Sequence, residues 1–142
     1  MPSDELDNLV AIGQLHREAS NADEIRSLVE SGRDRLRDAE RKDLSFSSRF
    51  DLGYSAAHAL ALAALRIHGF RSSNRYQVFN CLVHTAQLSP AEVRLLGEWH
   101  RRRNIAEYEG GLDVDGPFLQ ESLTVSARLL EKVEQLLQDV QT

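Results

Sequence analysis

Residues 50–70 read FDLGYSAAHALALAALRIHGF, and they form the most apolar run of the chain, with its densest group of alanines. Read as a helix, the run places apolar side chains on one stripe at steps of three and four: Phe50, Tyr54, Ala57, Ala61, Ala64 and Leu65. A helix that is apolar over most of its surface lies at the centre of a bundle, and small side chains let neighbouring helices approach closely. We therefore expect the other segments to pack around residues 50–70 as amphipathic helices.

The composition limits the class of protein. A chain of 142 residues with 42% apolar residues suits one globular domain, spanning 1–142. Its net charge of −5 argues against broad electrostatic capture of nucleic acid, although a local basic patch is compatible with it. The single cysteine, Cys81, excludes an internal disulfide and a cysteine-rich zinc site. The acidic N-terminus is unlike a signal peptide and the apolar run is too short to span a membrane, so we expect a cytoplasmic protein without a membrane partner.

The pattern of the whole chain predicts an all-α fold, because no stretch alternates with period two and only three prolines interrupt it. We predict an up-and-down antiparallel four-helix bundle with short additional helices. The predicted helices are a short one over about Asp4–Glu18, a second one to about Lys42, the central helix ending at Gly69, a short one over about Tyr76–Ala86, one from Ser89–Pro90 to Gly110–Gly111, and a last one from Pro117.

Capping residues mark several of these boundaries. Ser89-Pro90-Ala91-Glu92 offers a serine cap, a proline in the first turn and a glutamate at the capping-box position. Ser20-Asn21-Ala22-Asp23 offers a capping side chain before the second helix, and the serines of residues 45–48 can cap the central one. Residues 112–116 are predicted to form a loop, with Pro117 in the first turn of the last helix.

One stretch carries the groups best suited to binding a ligand. Residues 99–111 read WHRRRNIAEYEGG, in which Asn104 and Tyr108 are four apart and share a helix face. His100 lies on that face one turn earlier, Arg101 sits near it, and Arg103 points more to the side. Guanidinium, amide and phenol groups suit a phosphate or a nucleotide, because arginine binds phosphate bidentately and tyrosine offers a hydroxyl and a stacking surface.

The same arginines have a structural interpretation. Cations near the end of a helix interact favourably with its negative C-terminal end. Glutamates of the same segment can also pair with them: Glu92, Glu98, Glu107 and Glu109. The spacing alone leaves both interpretations open.

Over about Arg49 to Leu137, the central helix has the form Tyr-x-x-x-His-Ala-x-x-Leu-Ala-Ala-Leu, and an Arg-Asn-x-Ala-x-Tyr segment and an alanine- and leucine-rich helix follow. This order of motifs resembles the HEPN superfamily. The residues that carry the resemblance are Tyr54, Ala57, Ala64, Leu65, Gly69, His84, Arg103, Asn104 and Tyr108. Only the Arg-Asn motif has some specificity, since the rest is a generic helical pattern.

The resemblance implies a helical bundle that is usually a homodimer. Some members of the superfamily are ribonucleases of toxin–antitoxin systems, and others are non-catalytic partners of small nucleotidyltransferases. The ribonuclease members carry an arginine, a polar residue and then a histidine four to six residues past the arginine. Arg103 and Asn104 match the first two positions, but Tyr108 stands at the four-residue gap and no histidine follows His100. A tyrosine is a poor general base at neutral pH, because its reference pKa is about 10.

We therefore expect a non-catalytic HEPN-like protein that binds a nucleotide or a protein partner, with a small nucleotidyltransferase or an antitoxin as candidate partners. The predicted nucleotide-binding residues are Arg102, Arg103, Asn104 and Tyr108, with His100 and Arg101 at the edge. No catalytic residue is assigned. The first alternative is a divergent ribonuclease toxin in which Tyr108 or His100 replaces the missing histidine. The second is a structural interaction module without a ligand.

The remaining histidines and the cysteine receive structural interpretations. His58 is expected to be a hydrogen-bonded histidine of the core, with a ligand contact as the alternative, and Cys81 a buried thiol. No metal site is predicted, because the chain has no His-x-x-x-His or Glu-x-x-His spacing. No cofactor is predicted, since the chain has neither a P-loop nor a dinucleotide-binding glycine motif.

Overall fold

The computed structural model describes the backbone of residues 2–109 and 116–141, and side chains within 4–106 and 116–140. These residues are mostly helical, which confirms the all-α prediction. The elements in chain order are α1 (Pro2–Ala11), β1 (His16–Arg17), α2 (Ala22–Ala39), α3 (Phe46–Ile67), β2 (Phe70–Arg71), α4 (Arg75–Asn80), α5 (Leu82–Thr85), α6 (Pro90–Glu109) and α7 (Gly116–Gln141). Within the described part of the chain, no helix is both long and apolar enough to cross a membrane.

Helix α3 lies at the centre of the packing, as its composition predicts. The six side chains of the predicted stripe, from Phe50 to Leu65, are completely buried. Ser45 caps the helix by accepting a hydrogen bond from the Ser48 amide at 3.1 Å. The helix ends just before Gly69, whose φ of +85° falls in the left-handed region that favours glycine. The predicted cap and stop of this helix are therefore confirmed.

Small residues let α2 and α7 pack closely against α3. A Cβ atom built on Gly32 of α2 would lie 2.6 Å from Leu60 Cγ, so the two helices touch where only glycine fits. A Cβ atom on Gly53 of α3 would lie 2.8 Å from both Leu123 of α7 and Trp99 of α6. These contacts place the core between α2, α3 and α7, with α6 closing one side.

The segment before α2 differs from the prediction. The helix expected over Asp4–Glu18 ends at Ala11, where Gly13 turns the chain with a φ of +79°. The chain then runs extended and pairs antiparallel with β2, with His16 opposite Arg71. The Glu18 amide also donates a hydrogen bond to the Gly69 carbonyl at 3.0 Å. This pairing was not predictable locally, since its partner strand lies more than fifty residues away.

A buried arginine ties this extended segment to the end of α3. The Arg66 side chain is only 1% exposed, and its guanidinium donates to the carbonyl oxygens of Glu18 at 2.9 Å, Ala19 at 2.7 Å and Phe70 at 3.2 Å. It also donates to the Glu24 carboxylate at 2.7 Å, which lowers the pKa of Glu24 together with Arg71. A buried charge is tolerated when its hydrogen bonds are satisfied. Arg66 therefore joins α2, α3 and the segment around residues 18–20.

Two further helix boundaries differ from the predicted ones. The second helix ends at Ala39 rather than at about Lys42, and its cap is Asn21, which accepts from the Glu24 amide at 3.0 Å. Ser20 instead donates to the Arg66 carbonyl at 2.8 Å. The helix predicted over about Tyr76–Ala86 is interrupted at Cys81, which separates α4 from α5.

The start of α6 is as predicted. Ser89 Oγ accepts from the Glu92 amide at 3.1 Å, and Glu92 Oε1 accepts from the Ser89 amide at 2.9 Å, so the capping box is complete. Val93, Leu96 and Trp99 form its buried side. The loop predicted over residues 112–116 falls almost entirely outside the described residues, and α7 is described from Gly116 onward.

Candidate functional site

Helices α3, α4 and α6 bring together one tyrosine ring and five polar or charged side chains. The ring belongs to Tyr54, and we call the group the Tyr54 cluster: Tyr54, His58, Arg75, His100, Arg103 and Asn104. Tyr54 is completely buried, so the cluster rests directly on the core. Arg103 and Asn104 are two of the four predicted nucleotide-binding residues.

His100 is held in place by both of its ring nitrogens. Its Nδ1 lies 2.7 Å from Tyr54 Oη, and its Nε2 lies 3.2 Å from Asn104 Nδ2. When the Asn104 amide donates to Nε2, Nδ1 carries the proton and donates to Tyr54 Oη. The His100 and Tyr54 rings also stack, with centroids 6.0 Å apart and planes 19° apart. These contacts agree with the predicted shared face of His100 and Asn104, which are one turn apart on α6.

Two arginines from different helices approach the Tyr54 ring. The Cζ atom of Arg103, from α6, lies 4.8 Å from the ring centroid, and that of Arg75, from α4, lies 6.0 Å away. Both distances are within the range of a cation–π contact. Among the described residues, no acid lies within ion-pair distance of Arg75. The cluster is therefore a local concentration of positive charge in a protein of net charge −5.

Both histidines of the cluster are held in their neutral form. Burial and the charges of Arg75, His100 and Arg103 lower the pKa of His58 to about 4. Burial, Arg75 and Arg103 also lower the pKa of His100. No carboxylate contributes to either shift, so nothing in the cluster stabilises an imidazolium.

The interpretation of His58 as a hydrogen-bonded core histidine is wrong. Its ring makes no hydrogen bond to any other residue with a described side chain and packs edge-on against Phe79, with centroids 5.9 Å apart. Phe79 also contacts the His100 ring at 6.3 Å. His58 therefore belongs to the Tyr54 cluster through ring packing and proximity to charge, because α4 covers this face of α3 with the Phe79 ring and Arg75.

The other two arginines of the triplet both pair with Glu98. Arg101 Nε donates to Glu98 at 2.9 Å and Arg102 Nε donates to the same carboxylate at 2.9 Å, which together lower the pKa of Glu98 to about 2. The Arg102 guanidinium also lies 4.6 Å from the ring centroid of Phe118 on α7. The structural interpretation therefore describes Arg101 and Arg102. Arg102, a predicted ligand residue, does not meet Asn104.

The predicted ligand residue Tyr108 lies outside the residues whose side chains are described. Sequence reasoning missed Arg75, which is the first residue of a short helix with no motif around it. The available signal for the α3 side of the cluster was the Tyr-x-x-x-His spacing, which puts Tyr54 and His58 on one face. Among the described residues, no group of three or more histidines, cysteines or acids is arranged to hold a metal ion.

The chain matches no protein-family model, and neither the curated proteins nor the solved structures yield a match.

Proposed function

We propose that this protein is a non-catalytic, HEPN-like helical protein that binds the phosphate group of a nucleotide at the Tyr54 cluster. The proposal includes an up-and-down arrangement of α2, α3, α6 and α7, which the contacts among these helices support. It also includes a homodimer, with a small nucleotidyltransferase or an antitoxin as candidate partner. The last two elements follow from the motif resemblance alone.

The observation that carries the proposal is the convergence of Arg75 and Arg103 on one buried ring beside a neutral histidine. An arginine guanidinium offers several donors in a fixed plane that matches the oxygens of a phosphate. The Asn104 amide adds a neutral donor on the same side of α6. A dianion at this position would place negative charge beside both guanidinium groups.

A direct test is titration with inorganic phosphate at pH 7, followed by NMR, for the wild-type protein and for Arg75→Ala and Arg103→Ala. Each substitution removes a charge-assisted contact, so we expect the affinity to fall about tenfold or more. Arg37→Ala is the matched control, since it removes an exposed arginine that pairs with Asp34 on α2. An equal loss in all three variants would show only an effect of net charge and would contradict the proposal.

His100 provides a second readout of the same site. Bound sulfate stays doubly charged over the range in which histidine titrates, and a nearby anion favours the imidazolium. We therefore expect saturating sulfate to raise the pKa of His100 measured by NMR. An unchanged pKa in the presence of sulfate would place the anion elsewhere.

The ribonuclease alternative is kept because of one observation, the fixed and neutral His100 next to Arg103. A neutral imidazole can act as a general base, which Tyr108 cannot do at its reference pKa. Incubation of a labelled single-stranded RNA with the wild-type protein, Arg103→Ala and Tyr108→His separates the two functions. We expect no cleavage by the wild type. Cleavage that Arg103→Ala abolishes would make the protein a ribonuclease, whereas activity gained only in Tyr108→His would show a scaffold without its catalytic group.

A further inference from the structure

A pocket lies between α4 and α6 beside the Tyr54 cluster. Its volume is about 630 Å³, within the range of sites that bind small molecules. Apolar side chains line it on both helices, among them Tyr76, Val93 and Ile105. Polar groups line the rest, including Asn80, His100 and Asn104, so the pocket is mixed in character.

Tyr76 lines this pocket and is 52% exposed, although it belongs to a helix packed on α6. Gly97 lies close to one edge of the ring, since a Cβ added there would be 3.6 Å from Tyr76 Cε2. An aromatic ring that keeps one surface open beside a cavity is a platform on which a planar ring can stack.

The polar lining suits the edge of a heteroaromatic ring. A carboxamide can donate and accept hydrogen bonds, and Asn80 on α4 and Asn104 on α6 both face the pocket. The carboxylate of Glu98 also lines it, but two arginines already bind that carboxylate. The pocket therefore offers stacking and hydrogen bonding without an unpaired acid that would repel an anion.

His100 and Asn104 belong both to the pocket and to the Tyr54 cluster. Arg75 and Arg103 do not line the pocket, but both approach the Tyr54 ring on which His100 stacks. A ligand that reaches His100 and Asn104 from the pocket would direct an anionic end towards these arginines. A planar ring joined through a short polar linker to a phosphate fits both sites at once, and a nucleoside monophosphate has this form.

We propose that the α4–α6 pocket binds the base of a free nucleoside monophosphate, stacked on Tyr76, with its phosphate at the Tyr54 cluster. The inference rests on the proposed function and adds the base subsite to it. A free nucleotide is favoured over an RNA chain, because further phosphates would extend over the surface of a protein with net charge −5.

The test compares four probes by isothermal titration: adenosine monophosphate, ribose 5-phosphate, adenosine and inorganic phosphate. We expect adenosine monophosphate to bind at least about tenfold more tightly than ribose 5-phosphate, since stacking on an aromatic side chain is worth that much per base. Tyr76→Ala should remove this difference. Tyr76→Phe is the matched control, because it keeps the ring and should keep the difference.

The outcomes separate this inference from the proposed function. Equal affinities for adenosine monophosphate and ribose 5-phosphate would overturn the base subsite and leave the phosphate site standing. Adenosine binding that depends on Tyr76, without any binding of inorganic phosphate, would support the pocket and overturn the phosphate site. A 5′-phosphorylated trinucleotide that binds more tightly than the monophosphate would overturn the choice of a free nucleotide.

Discussion

The Tyr54 ring is fully buried, yet its hydroxyl group reaches His100 at 2.7 Å. The same side chain therefore fills the core below and orients an imidazole above. Because a core residue has little freedom to move, the position of His100 is fixed before any ligand arrives. Phe79 packs edge-on against Tyr54 with centroids 5.9 Å apart, which further restrains the ring.

His58 should make stability depend on pH. Its pKa falls from 6.5 in the unfolded chain to about 4 in the folded protein, so the unfolded chain binds more protons between these values. Stability is therefore present above pH 6.5 and is lost as the pH falls towards 4, by about 3 kcal/mol at most. Chemical denaturation at pH 7, 6, 5 and 4.5 measures the loss.

His58→Gln is the variant for this prediction, since glutamine does not titrate. We expect it to flatten the decline between pH 6.5 and 4.5. The carboxylates with lowered pKa values, such as Glu98 at about 2, contribute only at lower pH, because their unfolded pKa is 4.5. A variant whose stability declines as steeply as that of the wild type would contradict the assignment to His58.

The sequence predicted part of the site and missed the rest for a physical reason. His100 and Asn104 are four apart on one helix, and that spacing alone places them on one face. Arg75 reaches the same point only through the packing of α4 on α3 and α6, and no local pattern encodes that contact. A cluster built from three helices therefore shows in the sequence only on α6 and α3, where residues four apart share a face, as Tyr54 and His58 do.

At the scale of elements, the contact between α2 and α3 depends on one glycine. Replacement of Gly32 by alanine gains helix propensity, but the new Cβ would lie 2.6 Å from Leu60 Cγ and 2.7 Å from Leu60 Cδ2. Leu60 is completely buried, so its side chain cannot move aside without strain. We expect Gly32→Ala to lower the free energy of unfolding by about 1–2 kcal/mol.

Gly97→Ala is the matched substitution on α6. Its new Cβ would meet Tyr76 at 3.6 Å, an ordinary van der Waals distance. The gain in helix propensity should therefore dominate and stabilise the protein by up to about 1 kcal/mol. Urea denaturation of both variants checks the pair. A stabilising Gly32→Ala would show that the two helices can separate at low cost.

Helix starts were predicted more accurately than helix interruptions. The capping residues Ser45, Ser89 and Glu92 act through hydrogen bonds to neighbouring amides, which a short stretch of sequence fully specifies. The end of α1 at Ala11 is local as well, since Gly13 follows with a φ of +79° and its amide donates to the Val10 carbonyl at 3.0 Å. The prediction of a helix to about Glu18 therefore overran a local stop signal, whereas the break at Cys81 between α4 and α5 has no glycine or proline to mark it.

At the scale of the whole molecule, negative net charge and a positive site coexist. Most arginines whose side chains are described pair with acids on the surface, as Arg33 does with Glu134 and Arg41 with Asp43. Arg75 and Arg103 both approach the Tyr54 ring. Total charge therefore argues against a broad nucleic-acid surface, but it does not argue against a small anion site.

Arg66 has a consequence for how the molecule opens locally. Its guanidinium donates hydrogen bonds to the carbonyl groups of Glu18, Ala19 and Phe70. Residues 18–20 therefore cannot detach from the end of α3 without breaking hydrogen bonds to a buried charge. Opening that removes the partners of a buried charge costs about 3–5 kcal/mol, so it is rare. The Glu18 amide, although it belongs to an exposed segment, should therefore exchange its hydrogen with deuterium as slowly as amides in the middle of α3.

Deuterium exchange followed by NMR checks this expectation in the wild type and in two variants. Arg66→Met should release the Glu18 amide to fast exchange through local opening. Arg71→Met removes an arginine that binds the same acids but none of these carbonyls, so the Glu18 amide should stay protected. We thus expect Arg66 to make residues 18–20 and the end of α3 open as a single cooperative unit.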